Sequence, residues 1–142
     1  MVQAVDVTRI PELQAITSSA LAAAKRAGAS QAEVDLSLQQ GLSTTVRLGE
    51  VETVEYHRDR GLGVTVYFGQ RKGSASTADL SVQAVEDSVA KACSIARYTA
   101  EDPCAGLADP SDLARDIPDL DLDHPWALSP EAAVEDRKSV GE

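Results

Sequence analysis

The sequence has few of the residues from which catalytic and metal centres are commonly built. Its 142 residues include two histidines, His57 and His124, and two cysteines, Cys93 and Cys104. The histidines are remote from each other in sequence and no Cys-x-x-Cys occurs, so the sequence predicts no zinc site. We interpret both histidines as surface residues, Cys93 as a small buried side chain of a helix, and Cys104 as a loop residue.

Other motifs of catalysis and cofactor binding are also missing. Gly61-Leu62-Gly63 has no third glycine at the dinucleotide-binding spacing, and it precedes a strand rather than joining a strand to a helix. The acidic stretch DIPDLDLDHP lacks the glycine and the terminal glutamate of a calcium loop. No nucleophile-elbow sequence surrounds any serine. The sequence therefore predicts no catalytic, cofactor-binding or metal-ligating residue.

Long apolar runs are absent as well. None approaches the roughly 20 residues that a membrane span needs, and the N-terminus lacks the basic start and apolar block of a secretory signal. These absences predict a cytoplasmic protein with no membrane partner.

Positive charge is scarce in the last third of the chain. The net charge is −10, and residues 101–142 carry −9 of it, with twelve Asp/Glu against three Lys/Arg. The first hundred residues are close to neutral. Since nucleic-acid binding needs a concentrated basic surface, the charge distribution argues against a nucleic-acid partner.

Alternating apolar residues predict five β-strands. These are expected at residues 32–39, 42–48, 51–58, 61–68 and 71–77, because most of them have an apolar residue at every second position. Two-residue turns are expected at Gln40-Gly41, Gly49-Glu50 and Gly69-Gln70, and a loop at residues 59–61. In the last turn, glycine suits the left-handed position of a type II′ hairpin. Short turns join antiparallel neighbours, so a five-stranded meander with one apolar face is expected.

Two amphipathic helices are predicted to cover that apolar face. Residues 10–27 have apolar side chains at helical spacing, with Pro11 in the first turn and Gly28 after the last. Residues 81–99 repeat the pattern, with Asp79 or Ser81 as the N-cap. Because one face of the sheet is apolar, both helices should lie on it. The expected fold class is therefore α+β, a two-layer sandwich of an antiparallel five-stranded meander and two helices on one face.

The composition changes after residue 100. We predict an α+β domain at residues 1–100, an extended acidic strap rich in Pro and Asp at 101–130, and the start of a truncated helix with an atypical tail at 131–142. Ser129 should cap that helix, with Pro130 at its first position. Apolar side chains of the strap are expected to hold it against a surface: Leu113, Ile117, Leu120, Leu122 and Trp126.

A basic pair directly follows the turn at Gly69-Gln70. Arg71 and Lys72 could form a solvated hairpin tip, or they could bind a carboxylate or an acidic partner surface. Tyr67 lies on the predicted strand, on the side opposite the apolar residues. These three residues are our candidates for contacts with a peptide or a subunit interface.

Three blocks of sequence carry the most specific signal. They read GEVETVEYHRDRGLGVTVYFGQRKGSASTADLS, SIARYTAEDPCAGLAD and PDLDLDHP. In this order and spacing they resemble the N-terminal domain of the TldD/PmbA metallopeptidase family, and within it the PmbA branch, also called TldE. The resemblance extends over nearly all of residues 10–135.

The resemblance implies a bacterial cytoplasmic subunit that forms a complex with a TldD-type subunit and takes part in proteolysis of small or unfolded peptides. The family's zinc motif, His-Glu-x-x-x-His with a further Cys, belongs to the C-terminal half of the TldD-type subunit. No position of this sequence matches the motif, so the implied role of this chain is structural rather than catalytic. The family's older description, modulator of DNA gyrase, is not taken to imply DNA binding.

Two alternatives remain open. The chain could be a free-standing, non-enzymatic interaction module, or it could be a fragment of a catalytic TldD-type subunit. The final residues DRKSVGE do not resemble the family. We therefore expect a truncated chain with an atypical end at residues 136–142.

Overall fold

The protein has an α+β fold, described by a computed structural model for residues 9–122, 124, 126 and 128–139. The described residues form three helices and three strands. In chain order they are α1 (Ile10–Arg26), β1 (Gln31–Arg47), β2 (Glu50–Phe68), β3 (Arg71–Thr77), α2 (Val82–Tyr98) and α3 (Pro130–Ser139). The strands form one antiparallel sheet in the order β1-β2-β3. Residues 140–142 of the predicted atypical tail lie outside the described residues.

The prediction of five strands is wrong, because two of the expected breaks do not occur. β1 continues through Gln40-Gly41, and β2 continues through residues 59–61. In β1 the even-numbered positions stay half-buried from Ala32 to Val46, which is the period of one uninterrupted strand. Gly41 is required by a close approach rather than by a turn, since a β-carbon there would collide with the imidazole of His57.

The two hairpin turns are both two residues long. β1 turns into β2 at Leu48-Gly49, one residue before the predicted position, and both residues have positive φ, 51° and 78°. This is the pattern of a type I′ turn. β2 turns into β3 at Gly69-Gln70 as predicted, with a φ of 61° at Gly69. That turn sets the register in which Phe68 pairs with Arg71.

The core is built on one face of β2. Leu62, Val64 and Val66 are at most 1% exposed, in agreement with the alternation predicted for this stretch. The helix residues in the same cluster are mostly small: Ala20 and Ala24 of α1, and Val85, Val89, Ala92, Cys93 and Ala96 of α2. That both helices lie on one face of the sheet stays a prediction.

Helix α2 packs very closely on β3. A β-carbon on the buried Gly73 would collide with the backbone of Ala92 and lie 2.9 Å from the Cα of Ala96. Cys93, on the same helix, is 3% exposed, which confirms its predicted place in the core. Burial raises the pKa of the Cys93 thiol, so this side chain stays neutral and inert.

Polar side chains cap two of the helices. The Oγ of Ser81 accepts a hydrogen bond from the N–H of Ala84 at 3.4 Å, and Oδ1 of Asp79 accepts from the N–H of Ser81 at 2.9 Å. Hydrogen bonding by Ser81, first through its backbone N–H, holds the pKa of Asp79 below its ordinary value. At the start of α3, the Oγ of Ser129 accepts from the N–H of Ala132 at 3.1 Å. The sequence therefore encodes both helix starts locally.

The chain forms two compact units. The described residues of the first unit are 9–37 and 60–118, and those of the second are 38–59 and the described part of 119–139. β1 and β2 contribute residues to both units. The predicted division at residues 100 and 130 stays a prediction. Within the described ranges, no helix is long and apolar enough to cross a bilayer.

The described residues of 101–129 form no helix or strand and have turns at 103–104 and 110–112. The apolar side chains named for the strap are exposed. Exposure ranges from 57% for Leu113 to 81% for Ile117, and Trp126 is 73% exposed. The expectation that these residues hold the strap against a surface stays a prediction. Interspersed prolines and aspartates disfavour helix and strand in this segment, and it has no period that could gather the apolar side chains on one side.

Candidate binding site

A cavity of about 480 Å³ lies in the first unit, at the end of the β2–β3 hairpin. The hairpin lines it with Tyr67, Lys72 and Ser74, and the end of α2 lines it with Ile95 and Thr99. The remaining wall is the loop at residues 100–106, whose alanines and glycine leave room above the strands. Cavities of this size are typical of small-ligand sites.

The hairpin register brings the predicted residues Tyr67 and Lys72 side by side. They are directly opposite each other in the β2–β3 ladder, as are Thr65 and Ser74, and opposite residues share a face of the sheet. The hydroxyls of Thr65 and Ser74 are hydrogen-bonded at 3.0 Å. This face is the reverse of the one that carries the apolar core residues of β2.

Tyr67 is buried even though it lies on that reverse face. The residue is 5% exposed, and its hydroxyl has no hydrogen-bond partner in the described part of the chain. The hydroxyl is not sealed from solvent, so it remains available inside the cavity. A buried tyrosine usually has a partner for its O–H, and this one is open to a ligand.

Backbone N–H groups near both ends of the loop at residues 100–106 donate hydrogen bonds to other parts of the chain. The N–H of Asp102 donates to the carbonyl of Gln70 at 3.0 Å, and the N–H of Leu107 donates to Oε1 of Gln31 at 3.1 Å. Between these points, the N–H of Cys104 donates to Oδ1 of Asp102 at 2.9 Å. This Asx turn keeps the Asp102 carboxylate at the cavity wall.

Arg71 does not line the cavity and instead makes contacts within the chain. Its Nε lies 3.4 Å from Oε1 of Glu101, and its guanidinium donates to the carbonyl of Arg97 at 3.2 Å. Arg97 in turn donates to the carbonyl of Ala27 at 3.0 Å and lies 5.1 Å from the centre of the Phe68 ring. Arg71 therefore joins the hairpin to the end of α2, where a cation is favoured by the helix dipole. The carboxylate beside it comes from its own chain.

Lys72 differs from Arg71 in its charged surroundings. Among the described residues that line the cavity, Lys72 is the single cation and Asp102 the single carboxylate. The ammonium of Lys72 forms no ion pair with the described part of the chain. The lining thus includes a cationic residue on the hairpin wall and an acidic residue on the loop wall, together with the hydroxyl-bearing residues Tyr67, Ser74 and Thr99.

The metal donors of the chain do not meet at this site. In the described ranges, no group of three or more His, Cys, Asp or Glu is placed to hold a metal ion. His57 covers Gly41 in the second unit, His124 is exposed, Cys93 is in the core, and Cys104 is an exposed thiol beside the cavity. This donor set does not fit the zinc that the family resemblance implies.

Sequence reasoning located one wall of the cavity and missed the other. Tyr67 and Lys72 line it, and Arg71 does not. The contributions of Thr99 and Asp102 are not part of the sequence prediction, which describes residues 101–130 as one extended acidic strap. The Asp102-Pro103 pair just after a helix end is a turn signal that could have revealed the loop.

Comparison with known proteins finds relatives that match most of this chain. A family model for PmbA/TldA metallopeptidase domain 1 matches residues 32–96. Metalloprotease PmbA of Escherichia coli O157:H7 is 51% identical over 127 residues, and a Metalloprotease PmbA homolog of Haemophilus influenzae is 47% identical over 124. These matches cover 89% and 87% of the chain. The chain spans 28% and 27% of the length of these relatives.

Solved structures share the fold. A protein from Bacteroides thetaiotaomicron, described as a modulator of DNA gyrase, matches with a TM-score of 0.82 at 27% identity, over 93% of this chain and 30% of its own. TldE from Thermococcus kodakarensis matches with a TM-score of 0.63 at 14% identity, over 73% of this chain and 23% of its own. The second likeness concerns the fold alone.

Proposed function

Since this chain belongs to the PmbA/TldD metallopeptidase family, we propose that it is the N-terminal domain of a PmbA-type (TldE-type) subunit. In this proposal the subunit is cytoplasmic and acts together with a TldD-type subunit in metal-dependent proteolysis of small or unfolded peptides. The observation that carries the proposal is the agreement with PmbA metalloproteases over nearly nine-tenths of the chain.

The proposed role of this domain is structural. Metal-dependent hydrolysis requires a bound, polarised water, and the described residues provide no group of donors for the metal. The zinc would be held by the TldD-type subunit. This domain would shape the chamber in which peptide is bound and would contribute contacts to the subunit interface.

The reverse face of the hairpin is the proposed peptide-contacting surface. β3 is an edge strand of the described sheet, and an extended peptide can pair with such an edge through main-chain hydrogen bonds. Tyr67 and Lys72 lie beside that edge and can contact the peptide's side chains or termini. Arg71 would act indirectly, by holding the hairpin against the end of α2.

The proposal is tested by reconstituting the two full-length subunits, separately and mixed. Hydrolysis of an unfolded peptide is expected only from the mixture, with zinc bound in the TldD-type subunit. Replacing either His of that subunit's His-Glu-x-x-x-His motif should abolish hydrolysis without dissociating the complex. The matched replacements His57→Gln and His124→Gln in this chain should leave hydrolysis unchanged.

Two results would replace this proposal with one of its alternatives. Hydrolysis by the full-length protein without a partner, together with a zinc motif further along its reading frame, would make the chain part of a catalytic TldD-type subunit. Failure to associate with a TldD-type subunit, with no effect on hydrolysis, would favour an independent interaction module.

A further inference from the structure

We propose that the cavity beside the β2–β3 hairpin binds a short zwitterionic peptide, with its free carboxylate at Lys72 and its free ammonium group at Asp102. Peptide hydrolysis would supply such ligands, and in that respect alone the idea depends on the proposed function. The binding itself would need neither the zinc nor the second subunit.

The two charges of the cavity are available to a ligand. The ammonium of Lys72 has no ion pair among the described residues. Asp102 uses Oδ1 to accept the hydrogen bond from Cys104, and its second oxygen has no partner in the described part of the chain. Opposite charges on two walls favour a ligand with one charge of each sign, because hydrogen bonds to charged groups are the strong ones.

Tyr67 supplies an independent reason to expect a polar ligand. Its side chain is almost completely buried, yet its hydroxyl lacks a partner in the described residues and lines the cavity. The hydroxyl is open to solvent, so a polar group of a ligand would replace water as its partner. A peptide amide or carboxylate between Lys72 and Asp102 would accept a hydrogen bond from this hydroxyl.

The dimensions favour a short peptide over a long one. Both charged residues line the same cavity of about 480 Å³, so both charged ends of the ligand must fit within it. An extended dipeptide is about 7 Å long, whereas a long peptide would place one end far outside. Ile95, also in the lining, offers a small apolar contact for a side chain.

The test is titration of the intact protein with Ala-Ala, followed by isothermal titration calorimetry and by amide chemical shifts. We expect saturable shifts at Lys72, Gly73, Asp102 and Ala105. N-acetyl-Ala-Ala lacks the ammonium and Ala-Ala-amide lacks the carboxylate, and each should bind about tenfold more weakly or worse. Absence of saturable binding at about 10 mM Ala-Ala would refute the proposal, since millimolar dissociation constants mark the weak end of specific binding.

Variants separate this site from adventitious binding. Lys72→Met should weaken Ala-Ala about tenfold and remove the difference between Ala-Ala and its amide. Asp102→Asn keeps an acceptor for Cys104 and should remove the difference between Ala-Ala and its N-acetyl form. Tyr67→Phe should weaken all three ligands alike. The control Lys91→Met changes a lysine of α2 that does not line the cavity, and an effect equal to that of Lys72→Met would overturn the assignment.

Discussion

The two halves of β2 have the same backbone conformation and opposite environments. Every residue of the first half, 50–60, is exposed, whereas in the second half Leu62, Val64 and Val66 are almost completely buried. In the buried half every even-numbered position is apolar, whereas in the exposed half Val54 and Tyr56 share that parity with charged residues such as Glu52 and Arg58. The clean alternation therefore coincides with burial, and the mixed pattern coincides with exposure on both faces.

The difference between the halves arises from what packs on them. The buried half lies in one cluster with the small-residue faces of α1 and α2, and its partner strand β3 contains a glycine that admits α2 at backbone distance. Beside the exposed half, Gly41 of β1 is closely approached by a side chain, the imidazole of His57. The following substitutions compare residues that lie in the two halves of β2 or on the strands beside them, beginning with the largest expected effect.

Glycine substitutions should separate the halves most clearly. In Gly73→Ala the new methyl group would meet the backbone of α2, which cannot move without separating helix and sheet, so we expect a loss of about 3 kcal/mol in the free energy of unfolding. Gly41→Ala would displace only the ring of His57, and we expect a loss of about 1 kcal/mol or less. Urea unfolding followed by circular dichroism measures both. Equal losses would mean that α2 is not packed on β3 as described.

Valine truncations compare the two halves at the same strand, parity and residue type. Val64 is 1% exposed and Val54 is 41% exposed. Val64→Ala should lower the free energy of unfolding by about 2 kcal/mol, because it removes two buried methyl groups and leaves a cavity. Val54→Ala should cost about 0.5 kcal/mol or less. A large loss for Val54→Ala in the intact protein would show that another surface covers the exposed half.

The sequence predicted the local structure of the fold well, but it predicted breaks inside two long strands that the structure does not have. Helices α1 and α2, the Ser81 cap and the Gly69-Gln70 turn follow from spacing and capping, which are local. Gly41 was misinterpreted because a glycine in a strand can mark either a turn or a crossing neighbour. Only the position of His57 on the adjacent strand distinguishes the two, and that pairing is set by the long hairpin rather than by nearby sequence.

The candidate site was half predictable for the same reason. Tyr67 and Lys72 lie on one face of a hairpin whose register follows from its turn, so their proximity can be derived from sequence. Asp102 reaches the cavity because its N–H bonds to Gln70 and because Gln31 holds the next part of the loop. Those contacts join segments that are far apart in sequence, and no periodic pattern of residues predicts them.

A substitution in the turn between β1 and β2 should raise the free energy of unfolding. Leu48 is 95% exposed and has a φ of 51°, a conformation that costs an L-residue with a side chain roughly 1–2 kcal/mol. Asn tolerates this conformation, and Asn-Gly is the preferred type I′ pair. Leu48→Asn should therefore raise the free energy of unfolding by about 1 kcal/mol. Leu48→Ala keeps the unfavourable φ and should change the free energy of unfolding little. If Leu48→Ala stabilises the protein as much as Leu48→Asn does, the gain comes from removing an exposed apolar side chain and not from the backbone conformation.

The smallest expected effect concerns the start of α2, the helix that packs on β3. The N–H of Ser81 bonds to the carboxylate of Asp79 and lowers its pKa from the ordinary value of 3.8. A pKa lowered by folding stabilises the protein above pH 3.8, and that contribution is lost as the pH falls through the folded-state value. Asp79→Asn should therefore lower the melting temperature at pH 7, and the difference from the parent should shrink steadily below pH 3.8. Glu86→Gln on the same helix controls for loss of a charge. A difference between parent and Asp79→Asn that stays constant down to pH 2 would show that the Asp79 cap acts through its shape alone, without its charge.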